Sequence, residues 1–322
     1  MHAIVIDGPT LAWRPVPDLP APGPGQVRLR VRATAVNRAD LAQRAGLYPP
    51  PPGASEILGL ECSGHVEALG AGVQGWAVGD AACALLSGGG YAEQVLCPAD
   101  QLLPVPAGMS VEEAAGLPEV WATAWLNLVD EGGLAAGQRV LLHAGASGVG
   151  TAAVQICRAW GARSWVIVGS ADKIAAAVAL GADGGSDRHA GPWQEAVRAW
   201  APQGVDLVLD PVGGATLAAD LEVLATGGRA VIIGLMGGRS AQVDLGRLLV
   251  RRLRIQGSVL RSRPPAEKAR IVAGLRRDLW PRLAAGELHS VVAARFPLDR
   301  AAQAHERIAS DQTIGKVLLI VP

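Results

Sequence analysis

Between positions 27 and 35 apolar and polar residues take turns. Val27, Leu29, Val31, Ala33 and Ala35 alternate with Arg28, Arg30, Arg32 and Thr34. A two-residue period puts the two sets on opposite faces of one strand, so a half-buried strand is predicted here. Pro and Gly punctuate the first hundred residues, as in Pro20–Gly25 and Pro49–Gly53. Short strands with frequent turns predict a small barrel or sandwich. The pattern changes near Pro118, after which apolar strand-like runs alternate with helical ones. Val140–His143 predicts a strand, and Val149–Trp160 a helix stopped by Gly161. Ser164–Val168 predicts a second strand, followed by a helix over Lys173–Leu180 that Asp172 can cap. Val205–Leu209 and Arg229–Ile233 are two further strands, each running into a glycine turn. Alternation of apolar strands with helices predicts a parallel sheet covered on both faces. Beyond Ser262 a helical stretch, Glu267–Leu283, precedes two strand-like runs, Val291–Phe296 and Lys316–Val321. The expected class is α/β. A doubly wound Rossmann domain over 119–262 is inserted into a mainly-β domain built from 1–118 and 263–322.

Length agrees with two domains, since 322 residues exceed the roughly 100–200 of one. Half the residues are apolar and the formal net charge is zero, which argues against a nucleic-acid partner. The N-terminus lacks the charged start and apolar core of a secretory signal. No apolar run approaches the ~18 residues of a membrane span. Cys62, Cys83, Cys97 and Cys157 are widely spaced and form no CxxC pair, which favours the reducing cytoplasm over a disulfide or metal scaffold.

The segment with most chemical content is Leu141-Leu142-His143-Ala144-Gly145-Ala146-Ser147-Gly148-Val149-Gly150. A strand runs into a glycine turn and then a helix. The free N–H groups and partial positive charge of a helix start bind pyrophosphate. The spacing is GxxGxG, not GxGxxG, and in a chain with 41 glycines it gains weight only from the strand–turn–helix context. An NAD site places an acid about 20 residues further on, at the ribose 2′-hydroxyl. Here the strand end offers Gly169 and Ser170, Lys173 follows within a helical turn, and Arg188 is a second cation. Donors and positive charge suit a 2′-phosphate, so NADPH is favoured over NADH.

Several ordered stretches then carry a resemblance. They are Asn37-Arg38-Ala39-Asp40-Leu41, Tyr48-Pro49-Pro50-Pro51-Pro52-Gly53, Leu58-Gly59-Leu60-Glu61, and Gly88-Gly89-Gly90-Tyr91-Ala92-Glu93. The Ala144–Gly150 turn, Leu260-Arg261-Ser262-Arg263 and Ile314-Gly315-Lys316 follow. The chain resembles the medium-chain dehydrogenase/reductase superfamily in its zinc-free quinone oxidoreductase branch, that is, the zeta-crystallin-like and tumour-suppressor-inducible enzymes. The resemblance implies that the mainly-β domain is the GroES-like catalytic domain. Zinc alcohol dehydrogenases of this superfamily have Cys where Asn37 stands and Gly-His-Glu where Gly59-Leu60-Glu61 stands. Asparagine and leucine cannot replace a thiolate and an imidazole on zinc, so no metal is expected. His65 has no ligand partners in the pattern and reads as a strand-surface histidine.

The resemblance also assigns residues. Asn37 and Tyr48 are implied as the polar pair beside the nicotinamide, with Tyr48 shared between catalysis and cofactor binding. Read alone, Tyr48 is an ordinary loop tyrosine. Thr123 matches a helix position facing the nicotinamide amide, though a helix-interior threonine can equally bond its own backbone. Gly145, Ala146, Ser147, Gly148 and Val149 are expected at the pyrophosphate, and Gly169, Ser170, Lys173 and Arg188 at the adenosine phosphate. Gly234-Leu235-Met236 and Ser258-Val259-Leu260 match loops that hold the nicotinamide half. Two positions depart from the pattern: Arg188 stands where relatives usually have tyrosine, and Thr313 where they often have asparagine. The implied activity is reduction of a quinone or another activated acceptor by direct hydride transfer from NADPH bound between the domains. Reduction of an enone or enoyl thioester C=C bond is the enzymatic alternative, and a noncatalytic NADPH-binding or structural protein the alternative of another class. A homodimer joined through an edge strand of the Rossmann sheet is implied by the family alone.

Overall fold

The computed structural model describes residues 1–8 and 10–322. The chain divides into two units, one of residues 1–122 with 260–322, the other of residues 123–259.

In the first unit a hairpin of β1 (His2–Asp7) and β2 (Thr10–Pro15) accompanies a seven-stranded sheet. That sheet contains β3 (Gln26–Val36), β4 (Glu61–Leu69), β5 (Ala81–Leu85), β6 (Gln94–Pro98) and β7 (Leu102–Pro104). The last strands of the chain complete it: β14 (Val292–Pro297) and β15 (Lys316–Ile320). β3 is its hub, pairing antiparallel with β15, β4 and β6. The predicted alternation holds over its first half, where Val27, Leu29 and Val31 are buried and Arg30 and Arg32 are exposed. From Ala33 to Val36 every residue is buried, Thr34 included, because other strands and turns cover both faces. The Thr34 hydroxyl meets its hydrogen-bond need at the Glu61 carbonyl, 2.6 Å away.

The second unit holds six parallel strands. They are β8 (Arg139–His143), β9 (Arg163–Val168), β10 (Gly184–Asp187), β11 (Val205–Asp210), β12 (Leu224–Ile232) and β13 (Arg254–Gly257). Their spatial order is β10-β9-β8-β11-β12-β13, the 3-2-1-4-5-6 order of a Rossmann sheet. The order reverses between β8 and β11, and ligands of such sheets bind beyond the carboxyl ends of strands at that point. Leu141, Val208, Ala230 and Leu221 are among the side chains that build the core between sheet and helices.

The expected helices are present, with two differences. The helix Ala171–Leu180 is capped by Ser170, whose Oγ accepts from the Lys173 N–H, while Asp172 lies in its first turn. The long C-terminal helical stretch is two helices, Pro265–Asp278 and Trp280–Ala284, because Pro281 lacks the N–H that would continue the first. Among the described residues no helix is long and apolar enough to cross a membrane.

Candidate functional site

In the second unit β8 ends at His143 and the chain turns through Ala144–Ser147 into the helix Gly148–Ala159. Ala144 takes a left-handed φ of 51°. Two glycines are dictated by contact: a Cβ on Gly145 would lie 2.5 Å from Val166, and one on Gly150 2.5 Å from the Ala144 carbonyl. They let the helix start press onto the strand ends. Ser147 caps this helix through the Gly150 N–H at 3.1 Å. Ala146 is buried and the Ser147 N–H bonds the Ala144 carbonyl at 2.8 Å, so the first-turn N–H groups left to the positive end of the helix dipole are those of half-buried Gly148 and Val149.

The residues expected at the adenosine phosphate come together past β9. A Cβ on Gly169 would lie 2.8 Å from the Arg188 guanidinium, which therefore rests against that glycine. The backbone N–H of Arg188 bonds the Val168 carbonyl at 2.8 Å, fixing the approach. Ser170 and Lys173 open the adjoining helix. The loops after β11 and β12 pack on each other: Met236 and Gly237 N–H groups bond the Pro211 and Val212 carbonyls at 3.3 and 2.7 Å. A Cβ on Gly234 would meet the Pro211 carbonyl at 2.6 Å, and Leu235 and Met236 are half-exposed. Ser258 bonds the Ile232 carbonyl through its N–H at 2.9 Å, and the chain leaves the unit between Val259 and Leu260. Thr123, where the unit begins, is half-buried and its carbonyl accepts from Asn127 at 2.7 Å. The helix start at Gly148–Val149 and the cation at Gly169 fit a nicotinamide dinucleotide.

Beneath the turn, buried His143 and Asp220 share a hydrogen bond of 2.6 Å. Burial works against the imidazolium, yet Asp220 reverses it and holds the His143 pKa up. Both oxygens of Asp210, at the end of β11, accept from Gly213 N–H, and the Val212 N–H and Thr216 hydroxyl complete the set. Asp210 therefore shapes the turn at the switch point.

In the first unit Asn37 follows β3 and is the N-cap of the helix Arg38–Arg44, its N–H donating to Asp40 at 2.8 Å. Its side chain is fully engaged. The amide donates to Glu61 at 3.0 Å and to the Ala35 carbonyl at 3.3 Å, and its oxygen accepts from the Lys316 ammonium at 2.7 Å. Lys316 also reaches Glu61 at 2.7 Å and the Val36 carbonyl at 3.0 Å, so all three of its protons are used. Because ammonium only donates, it also settles which end of the Asn37 amide is oxygen. Asp40 further accepts from the Gly59 N–H at 3.0 Å and from Tyr91, whose hydroxyl pairs with His305 at 3.1 Å. Burial lifts the Asp40 carboxyl to about 6 against the pull of the Asn37 and Gly59 N–H groups.

Tyr48 is half-buried beside Arg261. The guanidinium lies 5.2 Å from the ring centroid and donates to the Tyr48 carbonyl at 3.3 Å, to Ser87 at 2.9 Å and to Gln43 at 2.6 Å. Burial and then the Glu119 charge raise the Tyr48 phenol, keeping it a hydrogen-bond donor at neutral pH. Glu119 begins the helix Pro118–Trp125 and its N–H bonds Glu61 at 2.9 Å. Its carboxyl is pushed up to about 8, by burial first and Glu61 second. The sequence had offered Arg261 and Lys316 only as parts of motifs, and Glu119 and Lys268 had no site role. The one signal for Glu119 was a lone acid in an apolar run.

A family model described as "Alcohol dehydrogenase GroES-like domain" matches residues 23–107, and one described as "Zinc-binding dehydrogenase" matches 148–273. The human synaptic vesicle membrane protein VAT-1 homolog is 32% identical over 94% of this chain and 80% of its own. A Burkholderia 2-haloacrylate reductase is 33% identical over 93% and 92%. Among solved structures, an NAD-dependent alcohol dehydrogenase superposes with a TM-score of 0.88 at 33% identity, covering 100% of both chains. A mycobacterial protein complexed with NADPH gives 0.87 at 30%, over 99% and 100%. A mycobacterial quinone oxidoreductase gives 0.84 at 31%, over 99% of each. The chain belongs to the medium-chain dehydrogenase/reductase superfamily, in its zinc-free quinone oxidoreductase-like branch, and is an oxidoreductase with a nicotinamide-cofactor domain. The zinc of the matched model's description does not fit the residues here: Asn37 and Leu60 supply no thiolate or imidazole, and the Lys316 ammonium already lies against Glu61 and Asn37.

Proposed function

We propose that this protein is an NADPH-dependent, metal-independent reductase of quinones. The observation that carries the cofactor choice is the Arg188 guanidinium resting on Gly169, with Ser170 next in the chain as the cap of the adjoining helix. A 2′-phosphate is a dianion, and a guanidinium fork suits it. Relatives have been solved as NAD-dependent and with NADPH, so this contact is what favours NADPH here.

Reduced nicotinamide supplies a hydride when bound. The chain's own part is positioning and charge control. The Ser147–Val149 turn holds the pyrophosphate, and Gly145 and Gly150 keep its helix start tight against the sheet. The loops at Gly234–Met236 and Ser258–Leu260 hold the nicotinamide half. Tyr48, kept protonated and braced by Arg261, donates a hydrogen bond to the acceptor oxygen. Asn37 acts chiefly by fixing Glu61 and Lys316, because its own amide protons are already engaged. A quinone needs no Lewis acid, since its reduced form is aromatic.

Reduction of a polarised C=C bond is the second reading. The 2-haloacrylate reductase relative favours it, as does the half-buried Glu119, whose raised carboxyl carries a proton at neutral pH. The test is NADPH oxidation with an ortho-quinone and with an enone under one set of conditions. A larger kcat/KM for the quinone supports the first reading, and an enone-only response replaces it by the second. Tight NADPH binding with neither acceptor reduced would favour a noncatalytic binding protein.

A further inference from the structure

The helices Arg38–Arg44 and Ala301–Ala309 both belong to the first unit, and a hollow of about 350 Å³ lies where they meet. Leu41, Arg44 and Ala45 line it from one side, and His305, Glu306 and Ala309 from the other. Its size falls within the ~300–1,000 Å³ of small-molecule sites. One polar group in its wall is unsatisfied. His305 is buried, and its Nδ1 is shielded from solvent with no hydrogen-bond partner among the described residues. The other ring nitrogen fixes the tautomer. Nε2 lies 3.1 Å from the Tyr91 hydroxyl, and that hydroxyl donates to Asp40 at 3.4 Å. Tyr91 has a single O–H, so Nε2 is the donor to it. Burial, with Arg44 second, lowers the His305 pKa to about 4, so at neutral pH the ring carries only that one proton. Nδ1 is therefore a bare acceptor, and an acceptor buried without a donor is costly.

The rest of the wall defines the ligand that brings the donor. Arg44 adds a positive charge, Glu306 a negative one, and Leu41, Ala45 and Ala309 an apolar surface. A guanidinium takes a carboxylate, whereas Glu306 and the bare Nδ1 both take N–H donors. We propose that this hollow binds a small aliphatic α-amino acid in its zwitterionic form. The carboxylate lies at Arg44, the ammonium is shared between Glu306 and His305 Nδ1, and the aliphatic chain rests on Leu41, Ala45 and Ala309. A lone anion leaves Nδ1 and Glu306 without a donor, and a lone cation meets the like charge of Arg44. The Nε2–Tyr91–Asp40 chain is undisturbed and holds the imidazole in place for the ligand. The nucleotide turn belongs to the other unit, so this site stands whether or not the protein reduces quinones.

Titration calorimetry on the full chain tests this with three probes. They are L-valine, isovalerate, which lacks the ammonium, and isobutylamine, which lacks the carboxylate. L-valine is expected to bind, and each truncated probe to bind at least about tenfold more weakly. Arg44→Gln and Glu306→Gln should each weaken L-valine binding by about tenfold. Arg44 is half-buried and Glu306 exposed, so both variants keep the core intact. Ala309→Trp, at an exposed position on the rim, fills the hollow and should abolish binding. In nitrogen NMR of the histidine rings, the His305 Nδ1 signal, assigned by its loss in His305→Gln, should move on adding L-valine. No heat with L-valine, or equal affinity for the truncated probes, would overturn the proposal. So would an Ala309→Trp variant that binds as wild type does, or an Nδ1 signal that stays in place while L-valine binds.

Discussion

Replacing Arg188 by alanine separates the two nicotinamide cofactors. The side chain is exposed, so its removal leaves the core untouched, and its guanidinium sits on Gly169 where the strand β9 ends. A charge-assisted hydrogen bond is worth about 1.5–3 kcal/mol, and solvent screening at an exposed site places this one near the lower figure. That corresponds to about tenfold in Kd. NADPH should therefore bind Arg188→Ala about tenfold more weakly than wild type, while NADH, which lacks the phosphate, should bind both proteins alike. Nine tryptophans provide an intrinsic fluorescence signal for the titrations. The gap between cofactors should also narrow as salt rises, because the Debye length shortens to about 3 Å at 1 M. An equal loss for NADPH and NADH, or no loss for NADPH, would refute the reasoning that places the 2′-phosphate at Arg188.

Three other perturbations have expected outcomes. Lys316→Ala strands Glu61 without its cation in a fully buried site and should cost about 3–5 kcal/mol in urea unfolding. An equally stable variant would mean the pair contributes nothing. Asp220→Ala likewise strands His143 and should cost a similar few kcal/mol, whereas Asp220→Asn, which can still hydrogen-bond, should cost less. Burial, with Arg44 nearby, lowers the His305 pKa from 6.5 to about 4. The unfolded chain then binds more protons between those values, so this contribution is complete above about pH 6.5 and is lost as pH falls through about 4. It amounts to at most about 3 kcal/mol, and His305→Gln should flatten the acid side of a stability–pH curve, with an unchanged curve counting against it.

Local pattern revealed much of this fold. The alternation in β3 and the strand–turn–helix at His143–Gly150 depend on neighbours in sequence, which is why both could be read there. The cap at Ser170 was misread as Asp172 because either residue type caps a helix, and only backbone geometry decides between them. Burial of Thr34 was invisible because it comes from strands and turns covering both faces of β3. Asn37 and Tyr48 are expected as a polar pair from family motifs alone, and the charges around each are not announced by those motifs. Lys316 finds Glu61 across almost the whole chain, and nothing near either residue in sequence announces the partner. Glu119 shows the same limit: its sequence neighbours are apolar, and its raised carboxyl follows first from burial and then from Glu61, which are tertiary facts. Arg188 stood in the sequence only as one possible cation, and the fold seats it on Gly169.

The most direct test of metal-free reduction mixes chelator-treated protein with NADPH carrying deuterium at the transferred position and an ortho-quinone. The account predicts NADPH oxidation that survives chelation, is not raised by added zinc, and is slower than with the protiated cofactor. Activity that disappears on chelation and returns with zinc, or no NADPH oxidation with the quinone at all, would contradict it.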